Sequence, residues 1–303
     1  MIDHCPACGS AKSKVTGATM QPLSTIVGGR EFIQPAFTIL ECTECGLLYK
    51  TAVMGQEDMS AYYHAADFHK WEIPGLFPTE RVVLGILVKL PKGAQILDYG
   101  CSSGRLLSTL VDRYHCLGSE MNAAAAEFAA QRGLQMVPPA EFDSSPPRDL
   151  DAVVIMDVFE HLAAPIELLR KLYACLKPGG RLIIGTGNGD APACRRDPAQ
   201  FWYFLNVEHV CMITRRHAQF LCDKLGLRLE SWNEGSHYDT PLREIVAQQL
   251  RDFAYWQFYK APVLKRLALG LIPVLNRARH WSYAPALTCT ADHVVAVFVK
   301  PIL

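Results

Sequence analysis

The sequence predicts an α/β protein with a doubly wound parallel sheet, an N-terminal cysteine-rich segment and a helical insertion before the last strand. Two observations predict the sheet: short apolar runs alternate with segments of helical spacing through residues 79–232, and glycines follow the first of these runs. A third observation sets residues 1–50 apart, because two Cys-x-x-Cys pairs lie there. Residues 51–78 read as an aromatic linker, and residues 233–292 as a mostly helical insertion before a strand at about 293–300.

Within residues 79–232 the elements alternate along the chain. Strands are predicted at 94–99, 116–120, 134–137, 151–156, 181–186 and 227–232. Helices are predicted at 81–90, 105–114, 123–132, 165–176 and 215–225, the third and fifth stopped by Gly133 and Gly226. This alternation implies helices on both faces of the sheet and a ligand site beyond the carboxyl ends of the strands.

Length, charge and cysteine content bound the class of protein. A chain of 303 residues can form one large domain with appendages, and its zero net charge gives no general attraction to nucleic acid or anionic membrane. The eleven cysteines and an N-terminus without a signal-peptide apolar region predict a cytoplasmic protein in which clustered thiols bind metal. The apolar stretch 262–275 contains Lys265 and Arg266 and is too short to span a membrane, so no transmembrane segment is expected.

The turn after the first predicted strand has the character of a nucleotide-type cofactor site. It runs from Asp98 to Gly104, and Glu120 ends the second strand, where an acidic side chain can accept ribose hydroxyls. The glycine spacing is Gly100-x-x-x-Gly104, not the Gly-x-Gly-x-x-Gly that a pyrophosphate favours. Taken alone, the turn is equally compatible with a purely structural strand-to-helix connection.

Three motifs together resemble class I S-adenosylmethionine (SAM)-dependent methyltransferases, in that family's order and spacing. They are Asp98-Tyr-Gly-Cys-Ser-Ser-Gly104, Asp151-Ala-Val-Val-Ile-Met-Asp-Val-Phe-Glu-His-Leu162 and Leu176-Lys-Pro-Gly-Gly-Arg-Leu182. The resemblance covers roughly residues 79–232. It implies a Rossmann-like methyltransferase sheet, SAM as the cofactor and methyl transfer as the reaction.

The resemblance also implies which residues hold SAM. The set is Asp98, Gly100, Cys101, Ser102, Gly104, Glu120, Met121, Ala140, Glu141, Met156 and Asp157. In it Asp98 orients the loop or the cofactor amino group, Glu120 holds the ribose and Met121 packs on adenine. Ser102 replaces the usual second glycine. Pro139 stands where an adenine-binding Asp often lies, so the Ala140 backbone and Glu141 would take over its role. Cys101 is interpreted as packing the turn, because no base accompanies it.

The two cysteine pairs predict a structural zinc ribbon. Cys5 and Cys8, and Cys42 and Cys45, are each separated by two residues, so both thiolates of a pair can reach one tetrahedral ion. A glycine follows each pair, and Gly28-Gly29 offers a hairpin turn between them. Four thiolates close the coordination shell, which favours a structural ion over a catalytic one. The alternative is four unrelated thiols.

A zinc ribbon before this kind of core resembles a subset of methyltransferases found beside sugar and cell-surface polysaccharide biosynthesis. That subset also has a Tyr-Tyr-like segment, here Tyr62-Tyr63, and an Asn-x-Glu-His stretch, here 206–209. The resemblance implies a sugar, sugar nucleotide or related metabolite as the acceptor, methylated at oxygen or carbon.

Two histidines are candidates for the base that removes the acceptor proton. His209 lies between the fifth strand and the next helix, where loops cover the acceptor pocket of this fold, and His161 follows the fourth strand. The alternative for His161 is a supporting or helix-start role. The remaining candidates, His64, His69, His237 and His293, lack comparable sequence context.

The insertion and the nature of the acceptor leave alternatives open. The stretch from Arg243 to Trp281 contains seven Lys or Arg residues and only two acidic residues, Glu244 and Asp252. The insertion could be a lid helix pair, a homodimer surface, or a patch for a phosphate-bearing or lipid-linked acceptor at a membrane periphery. An RNA methyltransferase that holds nucleic acid through the ribbon, and a non-catalytic SAM-binding protein, are the competing functions. Zero net charge and the absence of basic runs around the ribbon disfavour RNA.

Overall fold

The N-terminal segment forms two small antiparallel sheets. The computed structural model describes residues 2–19, 21–259 and 281–302, and its first five strands are β1 (Ser13–Ala18), β2 (Leu23–Val27), β3 (Arg30–Gln34), β4 (Thr38–Cys42) and β5 (Leu48–Lys50). β1, β4 and β5 pair in that order, and β2 and β3 form a hairpin. Gly28 and Gly29 make its two-residue turn, as predicted, with φ of 57° and 80°. Positive φ at both positions matches the right-handed twist of the strands.

The aromatic linker is ordered and folds into helical segments. Helix α1 spans Gln56–Ala65, a 3-10 turn spans Phe68–Trp71, and α2 (Pro78–Leu87) follows. The Tyr62 ring packs edge-on against Phe32 of the hairpin, with centroids 5.5 Å apart. The linker is therefore packed against the N-terminal segment.

A seven-stranded sheet forms the centre of the chain. Its strands are β6 (Gln95–Tyr99), β7 (His115–Ser119), β8 (Gln135–Met136), β9 (Leu150–Met156), β10 (Leu176–Gly187), β12 (Arg228–Gly235) and β13 (His293–Val299). The order is β12-β13-β10-β9-β6-β7-β8. The sheet is parallel as predicted except for β13, which enters between β10 and β12 and runs antiparallel to both.

Helices cover both faces of this sheet. They are α3 (Arg105–Ser108), α4 (Ala123–Gln131), α5 (Pro139–Ser144), α6 (Pro165–Cys175), α7 (Pro192–Arg196), α8 (Arg215–Leu225) and α9 (Leu242–Phe258). β9 is buried on both sides, because Val153 and Ile155 pack on one face while Ala152 and Val154 pack on the other. This double burial explains its uninterrupted apolar sequence.

Helix α3 is shorter than the predicted 105–114. The hydroxyls of Ser108 and Thr109 donate to the carbonyls of Arg105 and Leu106, at 2.9 and 2.8 Å. Such local hydrogen bonds compete with continued helix, and the chain goes on in turns.

The N-terminal sheet is joined to the central domain by a strand that the sequence did not predict. β11 (Cys211–Met212) lies between β10 and α8 in the chain and pairs antiparallel with β5. The N–H of Lys50 extends this pairing by donating to the carbonyl of Val210 at 2.9 Å. The residues predicted as a separate ribbon thus share a sheet with the central domain.

Only part of the predicted insertion falls among the described residues. α9 supplies its helix, residues 281–292 form turns and loops, and β12 runs on to Gly235, past the predicted start of the insertion at 233. Five of the seven basic residues counted above lie at 260–280, outside the described residues. Among the helices that the structure describes, none is long and apolar enough to cross a membrane.

Candidate functional site

The turn after β6 surrounds a buried carboxyl group. Asp98 is 3% exposed, and its Oδ1 has no hydrogen-bond partner among the residues that the structure describes. Burial, reinforced by the charges of Glu80 and Glu120, raises the pKa of Asp98 to about 8. A buried polar atom without a partner calls for a ligand group, and a cationic one suits a carboxyl. The ammonium group of SAM meets this requirement.

The same turn has no room for a side chain at its two glycines. Gly100 has a φ of 80°, and a Cβ built on it would lie 2.5 Å from Cγ2 of Val158. Gly104 has a φ of 73°, and a Cβ built on it would lie 3.0 Å from Cβ of Ala129. Ser102 adopts a positive φ of 48° although it is not glycine, which places strain in the turn.

Glu120 holds the turn from the end of β7. Its Oε2 accepts from the N–H of Ser102 at 2.9 Å, and its Oε1 accepts from the N–H of Asn122 at 2.7 Å. Each carboxylate oxygen keeps a lone pair for a hydroxyl. Met121, half exposed at 51%, lies next to it in the chain.

The other residues that the resemblance assigned to SAM lie around this edge of the sheet. Ala140 and Glu141 are exposed on α5, whose Phe142 packs against Tyr99 with ring centroids 4.9 Å apart. Cys101 is 6% exposed, and burial raises the pKa of its thiol, so the neutral thiol packs against Gly118. A reactive thiolate is therefore disfavoured at Cys101.

The aromatic linker packs against the turn at residues 98–104, which we call the cofactor turn. The side-chain amide of Asn122 donates to the carbonyls of Tyr63 and Ala66, at 3.2 and 3.0 Å. Glu72 accepts from the hydroxyl of Ser103 and forms an ion pair with Arg132 at 3.1 Å. These contacts tie the aromatic linker to the edge of the sheet.

Polar side chains cluster beside the turn, where β9 ends. We call this cluster the polar wall; its members are Asp157, Glu160, His161, Tyr203, His209, His237 and His293. Asp157 follows Met156 with a φ of 50°, and its Oδ1 accepts from the hydroxyl of Tyr203 at 2.9 Å. The same hydroxyl shares its one proton with Glu160, which is fully buried and accepts from the hydroxyl of Thr186 at 2.7 Å. Burial raises the pKa of Glu160.

The two candidate bases lie together on this wall. The rings of His161 and His209 are 4.8 Å apart, centroid to centroid. Nδ1 of His161 is 3.2 Å from the carbonyl oxygen of Glu208, and Nδ1 of His209 is 2.6 Å from that of Tyr203. Since a carbonyl only accepts, both rings carry their proton on Nδ1 and leave Nε2 as an acceptor.

Comparison with known proteins identifies the family. Residues 78–231 match a family model described as a methyltransferase domain. The chain belongs to this methyltransferase family. With the cofactor turn described above, it is a SAM-dependent methyltransferase.

The relatives agree with this assignment. The chain is 32% identical over 110 residues to a ubiquinone biosynthesis O-methyltransferase of Aeromonas salmonicida, which covers 33% of this chain and 46% of that protein. A ubiquinone biosynthesis O-methyltransferase of Alkalilimnicola ehrlichii is 25% identical over 210 residues, or 64% of this chain and 76% of that protein. The match thus spans about half the length of the first of these curated relatives.

Solved structures of similar fold are more distant in sequence. A TehB-like SAM-dependent methyltransferase from Corynebacterium glutamicum has a TM-score of 0.42 and 18% identity, and the match covers 74% of this chain and 88% of that one. A SAM-dependent methyltransferase from Archaeoglobus fulgidus has a TM-score of 0.42 and 13% identity, with 81% and 100% covered.

Two histidines that the sequence left without context belong to the methyltransferase's polar wall. His293 is fully buried, with its Nε2 3.7 Å from Oδ1 of Asp157, and the ring of His237 lies 4.3 Å from that of His293. Their sequence context gave no indication of this placement, because it depends on contacts between segments that are distant in the chain. By contrast, His64 is exposed on α1 and bonds only to the carbonyl of Ser60 among the described residues.

The four cysteines of the two knuckles converge. Their Sγ atoms all lie within 4.8 Å of one another, with Cys5 to Cys45 and Cys8 to Cys42 each at 3.5 Å. Zn–S bonds of about 2.3 Å in a tetrahedron put sulfurs roughly 3.8 Å apart, so the cluster fits a zinc ion.

The N-terminal sheet reaches the polar wall through one buried lysine. Lys50 at the end of β5 is completely buried, and its Nζ donates to the carbonyl of Asn206 at 2.9 Å. Burial lowers the pKa of Lys50 to about 7, opposed by the charge of Glu208. The segment that carries His209 is therefore held from the ribbon side.

Proposed function

We propose that this methyltransferase transfers the SAM methyl group to an oxygen atom of a small hydroxylated metabolite, such as a sugar or sugar nucleotide. The observation that carries the proposal is the part of the polar wall formed by Asp157, Glu160, His161 and Tyr203, directly beside the cofactor turn. The two features touch, because the residue after Asp157 is the Val158 that blocks a Cβ on Gly100. An acceptor between them would meet the methyl group and a base at once.

The proposed cofactor contacts follow from the donors and acceptors of the turn. SAM, when bound, supplies an electrophilic methyl group. The orphaned Oδ1 of Asp98 would accept from its ammonium, and Glu120 would accept from the ribose hydroxyls. Met121 and the α5 residues Ala140 and Glu141 would line the adenine side. The backbone of Gly100, Ser102 and Gly104 would lie against the cofactor.

Within the polar wall we propose His161 as the base and His209 as a positioning residue. His161 is half-buried, so an acceptor can reach its Nε2, whereas His209 is 5% exposed. Burial lowers the pKa of His209 well below its ordinary value, so that ring is neutral. In the proposed reaction Nε2 of His161 would take the proton of the acceptor hydroxyl, whose oxygen would receive the methyl group that SAM supplies.

Separate observations support an oxygen acceptor and a sugar as the substrate. The curated relatives are named as O-methyltransferases. The cysteine cluster, which we propose holds a structural zinc ion, is the feature shared with the sugar-associated subset. The four thiolates would leave the ion no open position, so the ribbon supports the fold and takes no part in methyl transfer.

The experiment combines a labelled cofactor with matched histidine variants. Methyl-labelled SAM is offered with sugar nucleotides, quinone precursors and RNA, and the labelled product is located by NMR. We expect His161→Asn to lower kcat by about 100-fold or more with unchanged SAM affinity, as loss of a general base does. His64→Asn, on the exposed face of α1, is the control and should leave kcat unchanged. Label in RNA, or full kcat in His161→Asn, would refute the proposal.

A further inference from the structure

We propose that Asp157, His237 and His293 form a second metal site, which binds one divalent transition-metal ion that favours nitrogen and oxygen ligands, such as Zn²⁺. The site is separate from the four cysteines and lies in the polar wall. Its use in the reaction rests on the proposed function, whereas its ability to bind metal does not.

The ligand atoms are already close together. One atom from each of the three side chains lies within 4.8 Å of the others, and Nε2 of His293 is 3.7 Å from Oδ1 of Asp157. Bonds of about 2.0–2.2 Å from one ion to imidazole and carboxylate put the ligand atoms roughly 3–3.5 Å apart. A small inward movement would therefore complete the site.

Unpartnered buried atoms point to a missing ligand here. Within the described parts of the chain, Nε2 of His293 makes no hydrogen bond, although the side chain is 1% exposed; Nδ1 lies 3.3 Å from Oδ2 of Asp292. Nδ1 of His237, a residue that is 9% exposed, also makes no hydrogen bond among the described residues. Buried polar atoms normally have partners, so this concentration of exceptions needs an explanation, and a bound cation supplies one.

Asp292 stands where a metal-binding histidine needs its supporting carboxylate. Its Oδ2 lies 3.3 Å from Nδ1 of His293, at ion-pair distance but without the alignment of a hydrogen bond. Its Oδ1 accepts from the backbone N–H of His237 at 3.1 Å. Histidine ligands commonly direct their second N–H to a carboxylate in this way, which frees the other nitrogen for the metal. For His293 the free nitrogen is Nε2, on the side of Asp157.

The neighbouring cluster of Glu160, His161 and His209 also brings its ligand atoms within 4.8 Å of one another, but its groups are engaged. Both carboxylate oxygens of Glu160 accept hydroxyl groups, and Nδ1 of each histidine faces a carbonyl. Asp157 keeps 38% of its side chain exposed. In the first cluster Nε2 of His293 and Nδ1 of His237 make no hydrogen bond among the described residues, and the exposed part of Asp157 gives the cluster an open side toward the acceptor space.

A cation at this position fits the proposed reaction. It would attract an acceptor oxygen and stabilise its ionised form, which lowers the pKa of the hydroxyl that attacks the methyl group. The proton would go to His161 as before. The rings of Trp202 and Phe77 lie against the two histidines and limit water on the inner side.

The test titrates Co²⁺ into the full chain after the cysteines have been loaded with zinc. We expect one further equivalent of Co²⁺ with visible d–d absorption and no new sulfur-to-metal band. His293→Asn should weaken Co²⁺ binding at least tenfold, and Asp292→Asn should weaken it by about 10–100-fold although it is not a ligand. His64→Asn is the matched control and should bind Co²⁺ as the wild type does.

Two outcomes would overturn the proposal. One is the absence of the expected equivalent of Co²⁺ in a zinc-loaded wild-type chain that binds SAM. The other is binding that both variants leave unchanged, with folding verified by circular dichroism. SAM affinity, measured by calorimetry on the same samples, keeps this failure distinct from a failure of the proposed function. The proposal would also be overturned if His293→Asn lost kcat although the wild-type protein bound no Co²⁺. That result would assign the Asp292–His293 pair to proton transfer.

Discussion

Replacing Asp98 by Asn should stabilise the free protein at neutral pH and weaken its binding of SAM. The pKa of this carboxyl is raised from 3.8 to about 8, mainly by burial. The folded state therefore holds the proton more tightly than the unfolded state, and ionisation costs stability progressively as pH rises from 3.8 to about 8. At 1.36 kcal/mol for each unit, the cost at pH 7 is about 4 kcal/mol.

The variant removes this cost but adds a smaller one. The amide of Asn introduces an unpaired N–H group in a buried place, which destabilises the folded state by roughly 1–3 kcal/mol. We therefore expect a net gain of about 1–3 kcal/mol at pH 7 and no gain at pH 4, where the carboxyl is protonated in the folded state. Loss of the charged contact to the cofactor ammonium should weaken SAM binding by roughly 10–100-fold.

Urea denaturation at pH 4 and pH 7, with calorimetric titration of SAM at pH 7, measures both effects. A variant with a higher free energy of unfolding and a lower SAM affinity would show that the Asp98 carboxyl destabilises the free protein but contributes to cofactor binding. A variant that is less stable than wild type at pH 7, or that binds SAM as tightly, would refute the reasoning. Asp112→Asn is a suitable control, because that carboxylate is exposed in the turns that follow α3 and lies outside the proposed cofactor contacts.

Three further predictions concern the ribbon, the buried lysine and the cofactor turn. Cys5→Ser combined with Cys42→Ser should abolish zinc binding and expose the β5–β11 amides to hydrogen exchange; unchanged metal content would contradict the ribbon. Lys50→Met should raise the free energy of unfolding at pH 6 by up to about 5 kcal/mol, because it removes a buried amine whose pKa is lowered from 10.5 to about 7. The gain should vanish as the pH rises toward 10.5, and equal curves of stability against pH for variant and wild type would contradict this. Gly100→Ala should cost about 1–2 kcal/mol for its positive φ plus the overlap with Val158, and adding Val158→Ala should recover only the overlap part in thermal melts; full recovery would show that φ is unstrained.

Local sequence predicted most of the central elements to within a few residues. The strand predicted at 94–99 is Gln95–Tyr99, and the helix predicted at 215–225 is Arg215–Leu225. Both are bounded by residues that end an element through their own chemistry, such as Gly226 in the left-handed conformation. The prediction was too long for α3, because side-chain hydroxyls within the helix compete for backbone carbonyls.

The direction of the last strand and the histidine cluster were outside the reach of local pattern. An apolar run does not encode which strand it joins, so the antiparallel entry of β13 was missed. The register of β12 with β13 sets Gly235 opposite His293. That register brings His237 next to His293, although a long stretch of chain separates them.

The sequence by itself determined the cofactor turn and the cysteine knuckles of this methyltransferase. Both are short motifs whose function depends on neighbouring residues, on backbone freedom at Gly100 and on the spacing of thiols, so a linear pattern is sufficient to predict them. The tertiary structure alone decided which side chains lie beside that turn. The polar wall takes one side chain or more from the ends of β9, β12 and β13 and from the loop that Lys50 holds, and only the packing of distant segments places those groups within a few ångströms.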